Sequence, residues 1–445
     1  MDEKVTVYKK NAPVWTAYLI GFCLLWELQR WISFPAGEDI YPWIQIGELF
    51  LVGAVFYLIR FRENPWYIAL LAGVPVLFLS SALQGAEVLE KTTGVLRKSV
   101  LAYALCPAAA PLLLRTNMRD MRDWKRFVMI FAAVWVVIFS ALSITGIYAA
   151  FSGIQIPSFN GDYFIGLAKN GTLRLWTGSN ATTAALLAVS VCLAVLGAGL
   201  CERIIFRVLY CLALLPLIFC LILTGSVAEE IGALAALGIA LVCLLQRRIR
   251  GLIRPGWLRG ILAALLILVI IFGGVMLCDA AKQGLDSAIS SRASKAESSA
   301  LADFWNQRVA VWGEALSVFG KNPGYLLTGI SVPRLMEVMK ELTNIPNVSH
   351  LQSTYLQILC STGVVGLLMA LFFTFMVVRS SIKLMSNPNR PMWEKLICLP
   401  ALGIIIMGTV DSFRLTNQAD IVSILTLFGG GAIVTARAAA SRRRR

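Results

Sequence analysis

The run "WLRGILAALLILVIIFGGVMLC" at residues 257–278 decides the fold class. It contains a single charged residue, Arg259, close to its start. A helix of about 20 apolar residues is long enough to cross the hydrocarbon core of a bilayer. Because backbone polar groups in lipid must be hydrogen-bonded within their own segment, the run predicts a membrane helix rather than a strand.

Similar runs recur along the whole chain, whose 445 residues are 58% hydrophobic and only 15% charged. A soluble domain of this size does not bury so much apolar surface. We therefore predict an all-α polytopic membrane protein in which residues 1–445 form a single integral membrane domain. The pattern predicts about twelve spans, at residues 14–34, 40–59, 66–83, 100–114, 127–150, 181–199, 204–223, 229–245, 257–278, 355–378, 395–411 and 419–436.

The basic residues predict the orientation of these spans. If both termini are cytoplasmic, most of the 40 Lys and Arg residues fall in short loops on the cytoplasmic side, as the positive-inside rule requires. Topology thus explains the formal net charge of +15, which does not indicate a nucleic-acid partner. The ten cysteines are scattered and lie mostly in apolar runs, which excludes a disulfide framework and zinc-binding spacing.

Two long loops, 151–180 and 279–350, lie on the outer side in this topology. Within the second, "LADFWNQRVAVWGEALSVFGKNP" (301–323) has the spacing of an amphipathic helix that ends at Asn322-Pro323-Gly324. Trp305 and Trp312 indicate that this helix lies at the membrane surface. The main outer loop is therefore expected to contain amphipathic helices.

Several basic residues of the outer side are candidates for binding an anion. Arg308 lies on the apolar stripe of the amphipathic helix, where a guanidinium group either pairs with a lipid headgroup or carboxylate, or binds a phosphate. Arg174, in "KNGTLRLWTGSN" (169–180), is either an ordinary loop residue or a second such contact. Lys169 lies close to it in the sequence, and Arg414 is a further candidate.

His350 is the only histidine in the chain. The sequence "NVSHLQS" (347–353) resembles a capping box, with Ser349 as N-cap and Gln352 at the third helical position. His350 would then be the first helical residue, and a helix N-terminus favours the neutral imidazole that a general base requires. The alternative is an amphipathic side chain at the interface. With one histidine and few outer carboxylates, the sequence predicts no metal site.

These features together resemble the O-antigen ligase and O-antigen polymerase superfamily of bacteria. The chain has the superfamily's "R-x-x-x-W-x-x-A" helix, and a histidine that precedes a helix with "G-x-x-G". It also has segments similar to the family turns, at "RLWTGSN" (174–180), "LILTGS" (221–226) and "NPGYLLTGIS" (322–331). The matching residues of the helix and the histidine motif are Arg308, Trp312, Ala315, His350, Tyr355, Leu356, Gly363 and Gly366. The superfamily pattern has an arginine where Val227 stands, and Arg174, Lys169 or Arg414 would supply that charge.

The resemblance implies a GT-C-like, metal-independent and cofactor-free glycosyltransferase of the bacterial inner membrane, with its active site in periplasmic loops. The donor would be a glycan on undecaprenyl pyrophosphate, and the acceptor a sugar hydroxyl of lipid A–core. His350 would be the base, and Tyr355 would orient the acceptor. The pyrophosphate would be bound by Arg174, Arg308, Lys169 and Arg414.

Two other functions stay open at this point. A polymerase that extends the lipid-linked repeat would use the same donor chemistry, so the sequence separates it poorly from a ligase. A lipid-linked glycan flippase, or another transporter, belongs to a different class. It would place charges along a cavity at membrane depth, and the predicted spans contain few charges.

Overall fold

A computed structural model describes residues 121–157, 163–168, 171–175, 180–252, 255–289, 300–331, 334–342, 350–387 and 390–412. Five of the predicted spans lie outside the described residues: 14–34, 40–59, 66–83, 100–114 and 419–436. Lys169, Arg414 and Ser349 also lie outside them.

The described part of the chain is mostly helical. Its helices are α1 Met121–Ser152, α2 Asn180–Leu200, α3 Ile204–Thr224, α4 Val227–Leu252, α5 Gly256–Ile289, α6 Ala300–Lys321, α7 Gly324–Thr328, α8 Leu335–Leu342, α9 Thr354–Met385, α10 Met392–Leu396 and α11 Leu399–Val410. Seven stretches of this part are long and apolar enough to cross a membrane, and each overlaps one of the predicted spans. The prediction of a helical polytopic membrane protein is confirmed to that extent.

A small antiparallel sheet lies in the first predicted outer loop, and the all-α prediction did not include it. Its strands are β1 Ile156–Pro157, β2 Phe164–Leu167 and β3 Leu173–Leu175, in the order β1-β2-β3. The β2–β3 hairpin turns at Gly171, whose φ of 74° favours glycine. Ile165, Leu173 and Leu175 are buried, so the sheet packs on the helices instead of extending into water. Strands this short carry too few residues for a clear alternating pattern.

The described residues form two compact units. The first unit comprises 121–304 and 381–407, and the second comprises 305–380 and 408–412. In the first unit, α2 is the most deeply buried spanning helix and consists largely of small and aliphatic residues. Small side chains allow helices to approach closely in a membrane. Trp135 of α1 donates a 2.9 Å hydrogen bond to the Ser190 hydroxyl of α2, which satisfies both buried polar groups.

The second unit has its own apolar core, formed by α6, α8 and the segments that flank them. Val311, Ala315 and Val318 of α6 are buried against Leu335, Val338 and Met339 of α8. Leu351 and Cys360 belong to the same cluster, so the chain on both sides of Thr354 is fixed by this core. The predicted amphipathic helix is confirmed, since α6 spans Ala300–Lys321 and ends before Asn322-Pro323.

Helix α9 breaks at Gly363, although residues 355–378 were predicted as one continuous span. Gly363 has φ 71° and ψ −170°, which no helix contains. Tyr355 Oη and Thr374 Oγ1 are 2.9 Å apart and 19 residues apart in sequence. Since a straight helix would separate those residues by about 28 Å, the chain must fold back at Gly363. The uninterrupted-span prediction is therefore wrong.

Backbone contacts cause this break. A Cβ atom at Gly363 would overlap the Leu327 carbonyl group, and one at Gly329 would overlap the Ser361 carbonyl group. The freed carbonyls accept replacement hydrogen bonds, from Ile330 N to Cys360 O (2.7 Å) and from Ser331 N to Ser361 O (3.0 Å). The 329–331 backbone thus replaces the helical partners that the break removes, as buried peptide groups require.

Candidate active site

The second unit brings His350 next to an acidic residue that the sequence reasoning did not select. His350 Nδ1 lies 4.0 Å from Asp411 Oδ1, and the imidazole is about one-third exposed while the carboxylate is buried. This distance is within ion-pair range but longer than a hydrogen bond. Catalytic hydrogen bonds often shorten only when substrate binds. The pair therefore presents an accessible base with a buried carboxylate behind it.

A set of hydrogen bonds fixes Asp411 relative to the segment that carries His350. The backbone N and the hydroxyl of Thr354 both donate to Asp411 O at 3.0 Å. Ser412 N donates to Asp411 Oδ1 at 2.6 Å, and Ser353 N donates to Ser412 Oγ at 2.9 Å. The residues on either side of Asp411 and of His350 are thus held together through main-chain groups, which limits how far the two side chains can separate.

The predicted capping box is wrong. Helix α9 begins at Thr354, so His350 precedes it and Gln352 is not helical. Gln352 has φ 52°, its carbonyl accepts the Trp312 indole N–H at 3.3 Å, and the neighbouring Leu351 is buried in the core. Long-range contacts with α6 and with Asp411 therefore outweigh the local capping pattern. His350 lies in an irregular segment held at both ends rather than in a helical turn.

Arg308 is buried and bound to the end of α11. Its Nε donates a 2.6 Å hydrogen bond to Val410 O, the carbonyl directly before Asp411. A cation at a helix C-terminus is stabilised by the last carbonyl groups. Arg308 of α6 therefore helps to position Asp411 and, through it, the surroundings of His350. Neither sequence interpretation, a lipid-headgroup or carboxylate partner or a phosphate ligand, predicted this contact, and both stay predictions.

Tyr355 uses its hydroxyl within the protein. The 2.9 Å contact with Thr374 Oγ1 joins the two parts of α9 across the break at Gly363. The role predicted from the resemblance, orienting an acceptor, stays a prediction. The contact shows that Tyr355 also supports the fold directly after the residues that carry His350.

Arg174, in the first unit, lies on β3 and is half-buried. Its guanidinium carbon is 5.9 Å from the centre of the Phe164 ring, within range of a cation–π interaction. The buried Nε has no hydrogen-bond partner within the part of the chain that the structure describes. Aromatic stacking orients the planar group, and the unused donor is what an anion would contact.

A second polar cluster of the first unit surrounds the turn between α3 and α4. Asn180 Nδ2 lies 3.5 Å from Thr224 O, and the Ser226 hydroxyl donates to the Glu229 carboxylate. Gly225 has φ 64°, and a Cβ there would overlap Lys282 Nζ of α5. The turn therefore packs directly against an ammonium group. Sequence reasoning missed Lys282.

The carboxylates of this cluster were missed as well. Glu229 and Glu230 are buried in the first turn of α4, and Lys282 and Asp279 of α5 interact electrostatically with Glu230. Two consecutive acidic residues at the start of an apolar span were the available signal, because an ionisable residue inside a span usually has a function or a specific partner. The equivalent signal for Asp411 was a carboxylate at the end of the span 395–411.

Comparison with known proteins supports the resemblance noted in the sequence. A family model described as O-antigen ligase matches residues 212–371. The matched range contains Lys282, Arg308 and His350, and it ends before Asp411. This match supports the resemblance of the chain to the O-antigen ligase and polymerase superfamily. No curated protein matches the chain.

Proposed function

Because residues 212–371 match the O-antigen ligase family, we propose that this membrane protein is an O-antigen ligase. It transfers a glycan from undecaprenyl pyrophosphate to a sugar hydroxyl of lipid A–core, at the periplasmic face of the bacterial inner membrane. The observation that carries the proposal is the His350–Asp411 pair, since the only histidine of the chain lies beside a buried carboxylate.

In the proposed reaction, His350 acts as the general base. The acceptor hydroxyl gives its proton to the imidazole nitrogen that does not face Asp411, and its oxygen forms a bond to the anomeric carbon of the donor. The bond from that carbon to the pyrophosphate breaks, and undecaprenyl pyrophosphate leaves with the electron pair. Attack opposite the leaving group inverts the anomeric configuration.

Asp411 stabilises the positive charge that develops on His350. A buried carboxylate behind a catalytic imidazole fixes the ring orientation and favours the imidazolium form, as in hydrolase triads. Because Asp411 is held through Thr354, Ser412 and the Arg308–Val410 bond, it need not reorganise during the reaction. Preorganised charges of this kind contribute strongly to transition-state stabilisation.

Cationic side chains bind the leaving pyrophosphate in this proposal. Arg308 holds Val410 through Nε, and we propose that its planar cation also contributes positive charge toward the phosphate groups. Arg174, Lys169 and Arg414 are proposed to add further positive charge. Since a diphosphate is already a good leaving group, neutralising its charge and positioning two lipid-borne substrates are the main tasks of the enzyme.

The test is a gel analysis of lipopolysaccharide from cells that lack the gene and carry either the wild-type chain or His350→Ala. Ligase loss leaves core without long chains while undecaprenyl-linked polymer accumulates. Loss of a polymerase would instead leave core that bears a single repeat. That result would reject the ligase and support the polymerase alternative. A full ladder from normally expressed His350→Ala would reject the mechanism. Ser317→Ala, at an exposed position of α6, is the control for expression and insertion.

A further inference from the structure

Helix α6 presents three different faces within the second unit. One stripe, at spacings of three and four residues, consists of Arg308, Val311, Ala315 and Val318, all of which are buried. This stripe packs on α8 and the His350 segment, defined here as residues 350–354. Residues with this spacing lie on one side of a helix, so the remaining two sides determine what α6 meets outside the protein.

The second stripe is apolar yet exposed. Trp305, Val309, Trp312 and Leu316 follow one another at spacings of four, three and four residues. Val309 is 63% exposed and Leu316 is 53% exposed, whereas Trp312 is partly buried against the core. A soluble surface rarely presents such an apolar stripe without a partner.

The third stripe is exposed, and three of its four residues are polar. It consists of Asn306, Ala310, Ser317 and Lys321, on the side of α6 away from the buried stripe. The helix therefore has one face on protein, one suited to hydrocarbon and one suited to water. A helix that lies in the plane of a membrane surface and is attached to a protein along one side has this division.

Exposed apolar residues also follow α6 in the sequence and lie next to a membrane-spanning segment. Leu326 and Leu327 of α7 are also exposed, the latter by 69%. The Leu327 backbone contacts Gly363, and the exposed apolar residues of the following helical segment begin directly afterwards. These are Val365, Leu368, Leu371, Phe372 and Phe375. Residues 364–385 form about 33 Å of helix within the stretch Thr354–Met385, which is long and apolar enough to cross a membrane.

We propose that the Trp305–Val309–Leu316 stripe and Leu326–Leu327 form one lipid-binding surface, which lies among the acyl chains of the bilayer. The occupant is membrane lipid, because the surface is apolar and carries no charged side chain, and because Leu327 contacts Gly363, where the apolar face of a spanning segment begins. An interfacial helix of this kind is embedded by about 5–10 Å.

This placement has a consequence for the candidate active site, and the consequence rests on the proposed function. Trp312 lies on the border of the lipid-binding surface and donates its N–H to Gln352 O in the His350 segment. Arg308 lies on the adjoining side of the same helix. Embedding α6 therefore holds His350 near the depth of lipid headgroups, where the pyrophosphate of a lipid-linked donor would lie.

Photocrosslinking in lipid tests the surface directly. Full-length protein carrying benzoylphenylalanine at one position is reconstituted into vesicles of phosphatidylethanolamine and phosphatidylglycerol that contain a radiolabelled lipid. We expect residues 309, 316 and 327 to label lipid at least about fivefold more than residues 306 and 317 of the polar stripe. Residue 368, on the spanning segment, is the positive control.

Two outcomes would overturn the proposal. Equal lipid labelling from positions 309 and 317 would mean that the apolar stripe is not embedded. Crosslinks from position 309 to another part of the chain, or to a second copy, would mean that protein covers it. Neither result depends on catalysis. If the protein labels lipid as expected but fails the lipopolysaccharide test, the lipid-binding surface stands and the proposed function is rejected.

Discussion

The His350 segment of the second unit and the turn at Gly225 of the first unit both place polar side chains at the ends of apolar helices. At His350 the acid is buried and the base is about one-third exposed, so a substrate can reach the imidazole. At Gly225 the carboxylates of Glu229 and Glu230 are buried, and Lys282 lies over the turn. The first arrangement is suited to proton transfer, whereas the second mainly links α3, α4 and α5.

The largest expected effect is that of Asp411→Asn, which tests whether the His350 site carries out proton transfer. The amide keeps the size of the side chain but removes the charge behind His350, so we expect the transfer rate to fall about 10³-fold. The rate is measured with reconstituted protein, and donor affinity should change little. The control is Glu337→Gln, at an exposed position of α8 in the same unit. Activity within threefold of wild type would show that Asp411 is only structural.

The second largest effect is expected at the break in α9. In Gly363→Ala the new Cβ overlaps the Leu327 carbonyl, which cannot move without disturbing the 329–331 backbone. We expect the free energy of unfolding to fall by about 3 kcal/mol. Thermal unfolding in detergent measures this change. Gly313→Ala is the matched control, because no atom lies near its Cβ and alanine favours a helix. Equal stability of the two variants would contradict the fold-back at Gly363.

The third prediction concerns Arg308→Lys. Lysine keeps the positive charge but loses the planar group that bonds to Val410 O, so activity should fall about 10- to 100-fold. The same transfer assay measures this loss, and Arg379→Lys, elsewhere in the second unit, should retain activity. Full activity of Arg308→Lys would mean that charge alone is needed at this position.

A smaller effect is expected at the first-unit turn. Gly225→Ala places a side chain where φ is 64° and displaces Lys282, so the free energy of unfolding should fall by about 1–2 kcal/mol. Gly171→Ala has the same type of backbone, with φ 74°, and no neighbouring atom near its Cβ. It should therefore be destabilised less. If the two variants are equally destabilised, the contact with Lys282 contributes nothing.

The smallest effect is expected for the ion pair between Lys125 and Glu202, at the start of α1 and after α2. The 2.6 Å hydrogen bond from Lys125 lowers the pKa of Glu202. A lowered pKa contributes stability above the unfolded-state pKa, and this contribution is lost as pH falls through the folded-state pKa. Because Glu202 is fully exposed, solvent screens the pair. The melting temperature of Glu202→Gln at pH 7 should equal that of wild type, and a clear decrease would contradict this.

The sequence predicted the helices well because the length of an apolar run is a local property. It placed seven described spans on helices, and it identified α6 from the spacing of Trp305, Arg308 and Trp312. The break in α9 was not predictable in this way. Glycine is common in membrane helices, and only the approach of the Leu327–Gly329 backbone forces the turn at Gly363.

Only part of the candidate site could be predicted, again because sequence patterns report local properties. His350 and Arg308 were found as unusual residues within their own segments, but Asp411 was not. Thr354 and Asp411 are bonded although they are 57 residues apart, and no local pattern indicates that contact. The capping box failed because tertiary hydrogen bonds to Asp411 and Gln352 outweigh a local cap that is usually worth only about 1 kcal/mol.

The most direct test of the proposed chemistry is the rate of glycan transfer by purified protein in vesicles that contain both lipid substrates. Wild type is compared with His350→Gln, which keeps a polar side chain but cannot accept the proton. We expect a fall of at least about 10³-fold, no smaller than that of Asp411→Asn, with donor binding retained. Transfer by His350→Gln at a rate within a fewfold of wild type would contradict the assignment of His350 as the base.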